Sequence, residues 1–159
     1  MTDFTANKVN YFLDTNVLIA YIRQESVIHS IQRKYNLEGF GNRMYTSSVC
    51  IGELKSIGIQ NNWGEKKIAA IEGIKEFVVV LENLDSKVVD RYAEIDAFSQ
   101  GRLPEKPLNE SARNMGKNDL WIAATASILD AILITTDNDF QHLHPLFLQV
   151  AHFELKSNI

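Results

Sequence analysis

The chain has 159 residues, of which 45% are hydrophobic and 23% are charged, and it contains one cysteine. This size and composition fit one ordinary globular domain, residues 1–159, with a flexible start at residues 1–8. Apolar runs such as FVVVL are much shorter than the roughly 20 residues of a membrane span, and the polar start is unlike a signal peptide. A single cysteine excludes an internal disulfide framework, so we expect a cytoplasmic protein.

Strand and helix patterns alternate along the first half of the chain. VNYFL is a short apolar strand pattern that ends at Asp14, and NVLIAYIRQ then has an apolar face at helical spacing. A second helix is predicted from about His29 to Leu37, followed by a strand at MYTSSV and a helix at CIGELKSIGI. GEKKIAAIEGIKEF is predicted as a helix with three isoleucines and Phe77 on one face, and FVVVL as a buried strand.

The second half continues the alternation. DSKVVDRYAEIDAFSQG is predicted as a long surface helix with Asp85 or Ser86 at its N-cap. Residues 101–117, rich in proline, glycine and charge, are predicted as a loop with one short helical turn and as a flap beside the site. The helix DLWIAATASILD, capped by Asn118 or Asp119, then precedes strands AILIT and LFLQVAHF. Strands separated by helices predict the α/β class, with about five parallel strands between helices.

Four acidic residues lie at junctions between predicted strands and helices: Asp14, Glu53, Asp119 and Asp137. The carboxyl ends of parallel strands open onto one crevice, so these side chains are expected to meet there. Each acid alone could be a helix cap, a dipole partner or a turn residue. Capping does not require an acid each time, however, because Ser, Thr or Asn serves equally well, so the joint pattern favours a shared site.

A carboxylate cluster without histidine or cysteine suits hard cations such as Mg²⁺ or Mn²⁺, and one or two ions are expected. Paired divalent ions typically assist hydrolysis of phosphodiester bonds. The net charge of −4 does not favour nucleic-acid binding, since phosphate backbones attract basic surfaces. Bound divalent cations would offset the local charge of the four acids.

The segments FLDTNVLIAYI, SSVCIGEL, YAEIDAFSQGR, GKNDLWIAATA and ILITTDNDF, in this order, resemble PIN-domain ribonucleases, especially VapC-type toxins of toxin–antitoxin pairs. The likeness extends from about Asn10 to Phe153. The segment between Arg102 and Asn118 departs from the pattern, because it is longer than the connection common in such toxins.

This resemblance implies an endoribonuclease in which the four acids hold Mg²⁺ or Mn²⁺. The acid set itself suggests the hypothesis that a metal-activated water attacks the phosphate and the 3′ oxygen departs, leaving a 5′-phosphate and a 3′-hydroxyl. Asn16 and Thr135 would orient the site, and Asp139 could assist or replace Asp137. Lys117 and Arg102 are candidate contacts to the RNA backbone. The resemblance also implies an antitoxin that covers the crevice, and a homodimer.

Two alternatives remain at this point. A catalytically silent PIN-fold binding module or scaffold would share the fold, and titration with Mn²⁺ would discriminate it because a scaffold need not bind metal. A metal-dependent phosphatase or receiver-like domain would also be acidic and α/β. Those proteins need paired or adjacent acids at the first strand, which DTN does not supply.

Overall fold

The structure is a computed structural model that describes residues 8–82 and 85–156. Apart from Lys8, the predicted flexible start lies outside the described residues. Five strands form one sheet: β1 (Asn10–Leu13), β2 (Arg43–Ser47), β3 (Val79–Leu81), β4 (Ala131–Thr135) and β5 (Gln149–His152). Six α-helices are described: α1 (Thr15–Arg23), α2 (Val27–Lys34), α3 (Ser48–Gln60), α4 (Glu65–Gly73), α5 (Ser86–Ser99) and α6 (Lys117–Ile128). Two 3₁₀ helices, Ile74–Glu76 and Asn138–Leu143, complete these elements.

The strand order is β3-β2-β1-β4-β5, and every neighbouring pair is parallel. The predicted α/β class and the parallel sheet of about five strands are confirmed. The chain moves outward from β1 to β3 and then returns to the other side of β1 with β4. This change of direction lies between β1 and β4, which is where open α/β sheets place their ligand crevice.

The central strand β1 explains the position of the core. Tyr11, Phe12 and Leu13 are all buried: β2 and β4 pair with the two edges of this strand, and helices typically cover both faces of a parallel sheet. Helices α5 and α6 pack against each other, and α1 packs against α3. No helix in the described part of the chain is long and apolar enough to span a membrane.

Several predicted boundaries are wrong by a few residues. Helix α2 covers 27–34 rather than 29–37, because the backbone becomes extended at Tyr35. Ser48 and Val49, predicted as strand, open α3. The strand pattern at FVVVL was predicted to be buried, but β3 is an edge strand with one neighbour, and the Val79 side chain is 49% exposed.

The segment from Gly101 to Gly116 contains turns and bends but no helical turn, so that part of the prediction is wrong. Helix α6 begins at Lys117, and its N-cap is Gly116, two to three residues before the predicted caps. Asp85 is the N-cap of α5, as predicted, and its carboxylate accepts a 3.0 Å hydrogen bond from the Val88 amide. The 3₁₀ helix Asn138–Leu143 after β4 was not predicted.

Candidate metal centre

Asp14 lies at the centre of the site, directly after β1. Its side chain is only 4% exposed. One carboxylate oxygen accepts a 2.7 Å hydrogen bond from the Thr15 amide, which caps α1, and the other accepts a 2.7 Å bond from the Thr135 hydroxyl at the end of β4. The Asp14 carboxylate is therefore held between the two strands at which the sheet order changes direction.

Glu53 reaches the site from the second turn of α3. Its Oε2 accepts a short hydrogen bond from the Thr15 hydroxyl, and its Oε1 accepts a 2.8 Å bond from the Asn118 side-chain amide. These two bonds tie α3 to the first turns of α1 and α6. With these bonds in place, each of the two Glu53 carboxylate oxygens can still accept a further interaction.

Three acids from α6 and the end of β4 cluster closely. One carboxylate oxygen from each of Asp119, Asp137 and Asp139 lies within 4.8 Å of the other two. The Asp137 amide donates to the Thr135 hydroxyl oxygen at 3.0 Å, and the Asp137 carboxylate accepts from the Asp139 amide at 2.9 Å. Asp137 thus begins the following 3₁₀ helix while it lines the cleft, whereas Asp139 is exposed.

The acids open onto a cleft of about 550 Å³. Its lining residues are Asp14, Thr15, Asn16, Gly52, Glu53, Ser56, Ile57, Gln60, Asn118, Asp119 and Asp137. Over residues 8–82 and 85–156, the lining includes no lysine, arginine or histidine. Within the described part of the chain, therefore, no cationic side chain in the cleft balances the negative charge of the acids.

Burial and mutual repulsion change the acidity of two of these groups. Burial is the main cause that raises the pKa of Asp14 to about 6; Glu53 and Asp137 raise it further, while the bonds from Thr135 and Thr15 lower it. Burial also raises the pKa of Asp119 to about 7, and the negative charges of Asp14, Asp137, Glu53 and Asp139 act in the same direction. Ionised carboxylates crowd here without compensation, which is an environment that a bound cation would relieve.

The donor set fits a hard divalent cation. Carboxylate oxygens are the ligands that Mg²⁺ and Mn²⁺ prefer, and the described lining offers neither thiolate nor imidazole for zinc. Cys50 is buried, and burial raises the pKa of its thiol, so it behaves as a small apolar side chain.

The structure brings the four predicted acids, Asp14, Glu53, Asp119 and Asp137, to one cleft. Asn16 also lines the cleft with an exposed side chain. Lys117 and Arg102 are exposed but are not among the lining residues, so their contact with substrate stays a prediction.

Two functional neighbours were missed by the sequence analysis. Thr15 and Asn118 hold the two oxygens of Glu53, although the sequence suggested Asn16 as an orienting residue and Asn118 only as a cap. The available signal was their position beside Asp14 and Asp119 in the motifs DTN and KND. Because a hydroxyl or amide next to a site acid is a natural hydrogen-bond donor, both residues could have been proposed.

Comparison with known proteins agrees with this geometry. The PIN domain family model matches residues 11–144. The chain is 31% identical over 139 residues to Ribonuclease VapC1 of Haemophilus influenzae strain R2866, and the match covers 86% of this chain and 93% of that protein. The structure of VapBC-1 from nontypeable Haemophilus influenzae is similar, with a TM-score of 0.67, 28% identity and coverage of 91% of this chain and 98% of that one.

A further solved structure shares the fold. VapBC2 from Rickettsia felis, bound to a DNA fragment from its promoter, has a TM-score of 0.70 at 19% identity, with 92% of this chain and all of that chain covered (100%). Three observations agree with one another: the order of the parallel sheet, the acidic cleft where that order changes direction between β1 and β4, and the family match over most of the chain. The chain belongs to the PIN-domain family and resembles its VapC-type ribonucleases.

Proposed function

We propose that this protein is a metal-dependent endoribonuclease that hydrolyses RNA phosphodiester bonds as the toxin of a toxin–antitoxin pair. The observation that carries the proposal is the meeting of four carboxylates in one cleft that is lined by no cationic side chain in the described part of the chain. The 31% identity to Ribonuclease VapC1 supports RNA as the substrate.

Asp14, Glu53, Asp119 and Asp137 would hold Mg²⁺ or Mn²⁺, one or two ions in number. A divalent cation in such a site makes water nucleophilic at neutral pH and neutralises charge on the leaving oxygen. The chain supplies the positioning: Thr135 and Thr15 fix the Asp14 carboxylate, and Thr15 and Asn118 fix that of Glu53. Because water would be the nucleophile and the 3′ oxygen would be the leaving group, we expect products with a 5′-phosphate and a 3′-hydroxyl.

Contacts to the RNA outside the cleft would come from exposed cations. Lys117 begins α6, directly before Asn118 and Asp119, and we propose that it contacts the phosphate backbone, with Arg102 as a second candidate. Asp139 would assist Asp137, since its carboxylate belongs to the same cluster. These contacts would add the basic surface that the acidic cleft lacks.

The test is incubation of the purified protein with total RNA and Mg²⁺ or Mn²⁺, in parallel with a chelator. We expect discrete cuts that need the metal and that disappear in Asp14→Asn. Asp90→Asn, which removes an exposed acid on α5, is the matched control and should cut normally. Cleavage that persists with the chelator and in Asp14→Asn would reject the proposal.

The silent-scaffold alternative predicts a different titration. Calorimetry with Mn²⁺ should give binding to the wild type and not to Asp14→Asn if the protein is a nuclease of this kind. A wild type that binds no Mn²⁺ and cuts no RNA supports the scaffold.

We also propose an antitoxin partner and a homodimer. One similar structure, VapBC-5 from Mycobacterium tuberculosis, is a member of a family of toxin–antitoxin systems, and another is a toxin–antitoxin complex from Klebsiella pneumoniae, which supports a protein partner for this chain. Co-expression with the protein encoded beside it should yield a complex on size-exclusion chromatography. Light scattering of the protein alone should give twice the 18.0 kDa of one chain.

A further inference from the structure

The cleft extends beyond the acids along one face of α3. Its lining from this helix consists of Gly52, Glu53, Ser56, Ile57 and Gln60. These positions recur at the spacing of a single helical face, so they form one continuous wall. From Glu53 to Gln60 the helix rises by about 10 Å, which takes the cleft well away from the carboxylates.

This extension, defined here as the α3 groove of Gly52, Ser56, Ile57 and Gln60, has a different chemistry from the acidic end. Its side chains are neutral, and one of them is apolar. Lys55, the nearest basic residue in sequence, does not line the groove and instead forms a 3.1 Å ion pair with Glu72. A phosphate group has no charge partner in this groove, whereas a nucleobase, with an apolar face and a polar edge, matches it.

Ser56 and Gln60 together offer a hydrogen-bonding edge. The Gln60 side-chain amide donates a 2.9 Å hydrogen bond to the Ser56 hydroxyl oxygen, and both side chains are exposed. The bond uses one N–H of Gln60 and leaves its second N–H, its Oε1 and the Ser56 O–H available to a ligand. The pair can thus donate to and accept from the same base edge.

The remaining two residues provide space and an apolar surface. A Cβ placed on Gly52 would meet no atom within 4 Å, so the wall is open beside Glu53. Ile57 is half-buried and presents part of its side chain to the groove. A planar base can therefore lie against Ile57 while its edge faces the Ser56 and Gln60 pair.

We propose that the α3 groove binds the base of a ribonucleotide next to the bond that is cut, and that Ser56 and Gln60 determine which base is preferred. This inference rests on the proposed function, because it assigns a specificity role within the same cleft. The inference gives Ser56 and Gln60, which do not hold the metal, a role in the choice of substrate.

The test compares cleavage-site preference among Ser56→Ala, Gln60→Ala and the double variant. RNA of random sequence is cut with Mn²⁺, and the nucleotides around each new end are sequenced. We expect the preference at one position near the cut to fall about two- to tenfold for each lost hydrogen bond. The rate on an RNA that lacks the preferred base should stay at the wild-type value.

Gln149→Ala is the matched control. Gln149 is an exposed glutamine that opens β5, at the end of the strand opposite to the cleft. Its replacement should leave the preference unchanged. An unchanged preference in the Ser56 and Gln60 variants, or an equal loss of rate at every site, would overturn the inference.

A binding experiment separates this inference from the proposed function. Isotope-labelled protein in chelator, where no cleavage is expected, is titrated with RNA hexamers of each single base, and the Gln60 side-chain amide resonance is followed by NMR. We expect a shift with one hexamer that is at least about twice that with the others, since one base edge fits best. A Gln60 resonance that moves with no hexamer overturns the inference, even if the protein cuts RNA. A selective shift supports it, even if the cleavage assay fails.

Discussion

The Thr135 hydroxyl donates a 2.7 Å hydrogen bond to Oδ2 of Asp14 and so joins the ends of β4 and β1 at the base of the cleft. Both side chains are buried, with exposed fractions of 0% for Thr135 and 4% for Asp14. The bond stabilises the ionised carboxylate and opposes the effect of burial, which raises the pKa of Asp14. Thr135 therefore lowers the pKa of the central acid and holds its carboxylate in one orientation.

Thr135→Val keeps the shape of the side chain and removes the donor. We expect the pKa of Asp14 to rise above its value of about 6, and the affinity for Mn²⁺ at pH 7 to fall about 10- to 100-fold, as is typical for residues that orient metal ligands. Calorimetric titration with Mn²⁺ measures the change.

Thr46→Val is the control for the loss of a buried threonine hydroxyl. Thr46 is also fully buried, but its hydroxyl donates to the backbone oxygen of Leu13 at 3.0 Å rather than to a carboxylate. The Thr46→Val variant should lose about as much stability as Thr135→Val and should keep the wild-type affinity for Mn²⁺. Equal affinities in the two variants would contradict a specific role for Thr135.

The positions of Asp14 and Asp137 could be predicted from sequence because each follows an apolar strand, and parallel strands share the edge at which they end. Thr15 and Asn118 could be proposed as donors from their motifs, but their contacts with Glu53 could not be predicted in this way. Thr15 and Glu53 are 38 residues apart, and their hydrogen bond depends on how α1 packs against α3. Hydrophobic periodicity describes one element at a time and does not specify such a contact.

The exposure of β3 illustrates a related difficulty. A run of three valines is typical of a strand covered on both faces, yet β3 comes last in the described strand order, next to β2. Strand order is a property of the whole chain.

The start of α6 was uncertain for another reason: Gly116, Asn118 and Asp119 can all serve as caps, and Asp119 is instead turned to the cleft.

The relative importance of Asp137 and Asp139 can be measured directly. Asp137 is half-buried, lines the cleft and is held through its amide by Thr135, whereas Asp139 is exposed. We therefore expect Asp137→Asn to abolish metal-dependent cleavage, and Asp139→Asn to weaken Mn²⁺ binding by less than about tenfold, as an exposed charge would. Loss of Mn²⁺ binding in Asp139→Asn, with Asp137→Asn unaffected, would reverse the assignment.

The raised pKa values also predict how the stability of the metal-free protein depends on pH. The pKa values of Asp14 and Asp119 are about 6 and about 7 in the folded protein, against 3.8 ordinarily. Between about pH 4 and pH 7 the folded protein therefore binds more protons than the unfolded chain at these groups. Their contribution to the free energy of unfolding must decrease as the pH rises through this interval.

Asp119→Asn tests this sign, because asparagine stays neutral throughout. In chelator, the variant and the wild type should have similar Tm values at pH 4, and the variant should be more stable by a few degrees at pH 8. Excess Mn²⁺ at pH 8 should reverse the order, since the wild type binds it more tightly and binding stabilises the folded state. A Tm difference that is the same at pH 4 and pH 8 would show that the charge of Asp119 is not its cause.

A buried serine connects the long segment between α5 and α6 to the site. The Ser99 hydroxyl lies 2.7 Å from Nε2 of His142, on the 3₁₀ helix that Asp137 begins, and 3.3 Å from the sulfur of Met115. The Ser99 backbone oxygen accepts a 2.7 Å hydrogen bond from the Arg113 amide. Burial lowers the pKa of His142, with the positive charge of Arg113 acting in the same direction, so the neutral imidazole is favoured in this contact.

Ser99→Ala should lower the free energy of unfolding by about 1–3 kcal/mol, because it leaves the ring nitrogen of His142 without its buried partner. If the segment 101–116 acts as a flap held at this point, the variant should also be cut faster by protease between Arg102 and Arg113. Ser48→Ala, at an exposed position in α3, is the control and should change neither quantity. Loss of stability without faster proteolysis would mean that Ser99 supports the core around Met115 and does not restrain a flap.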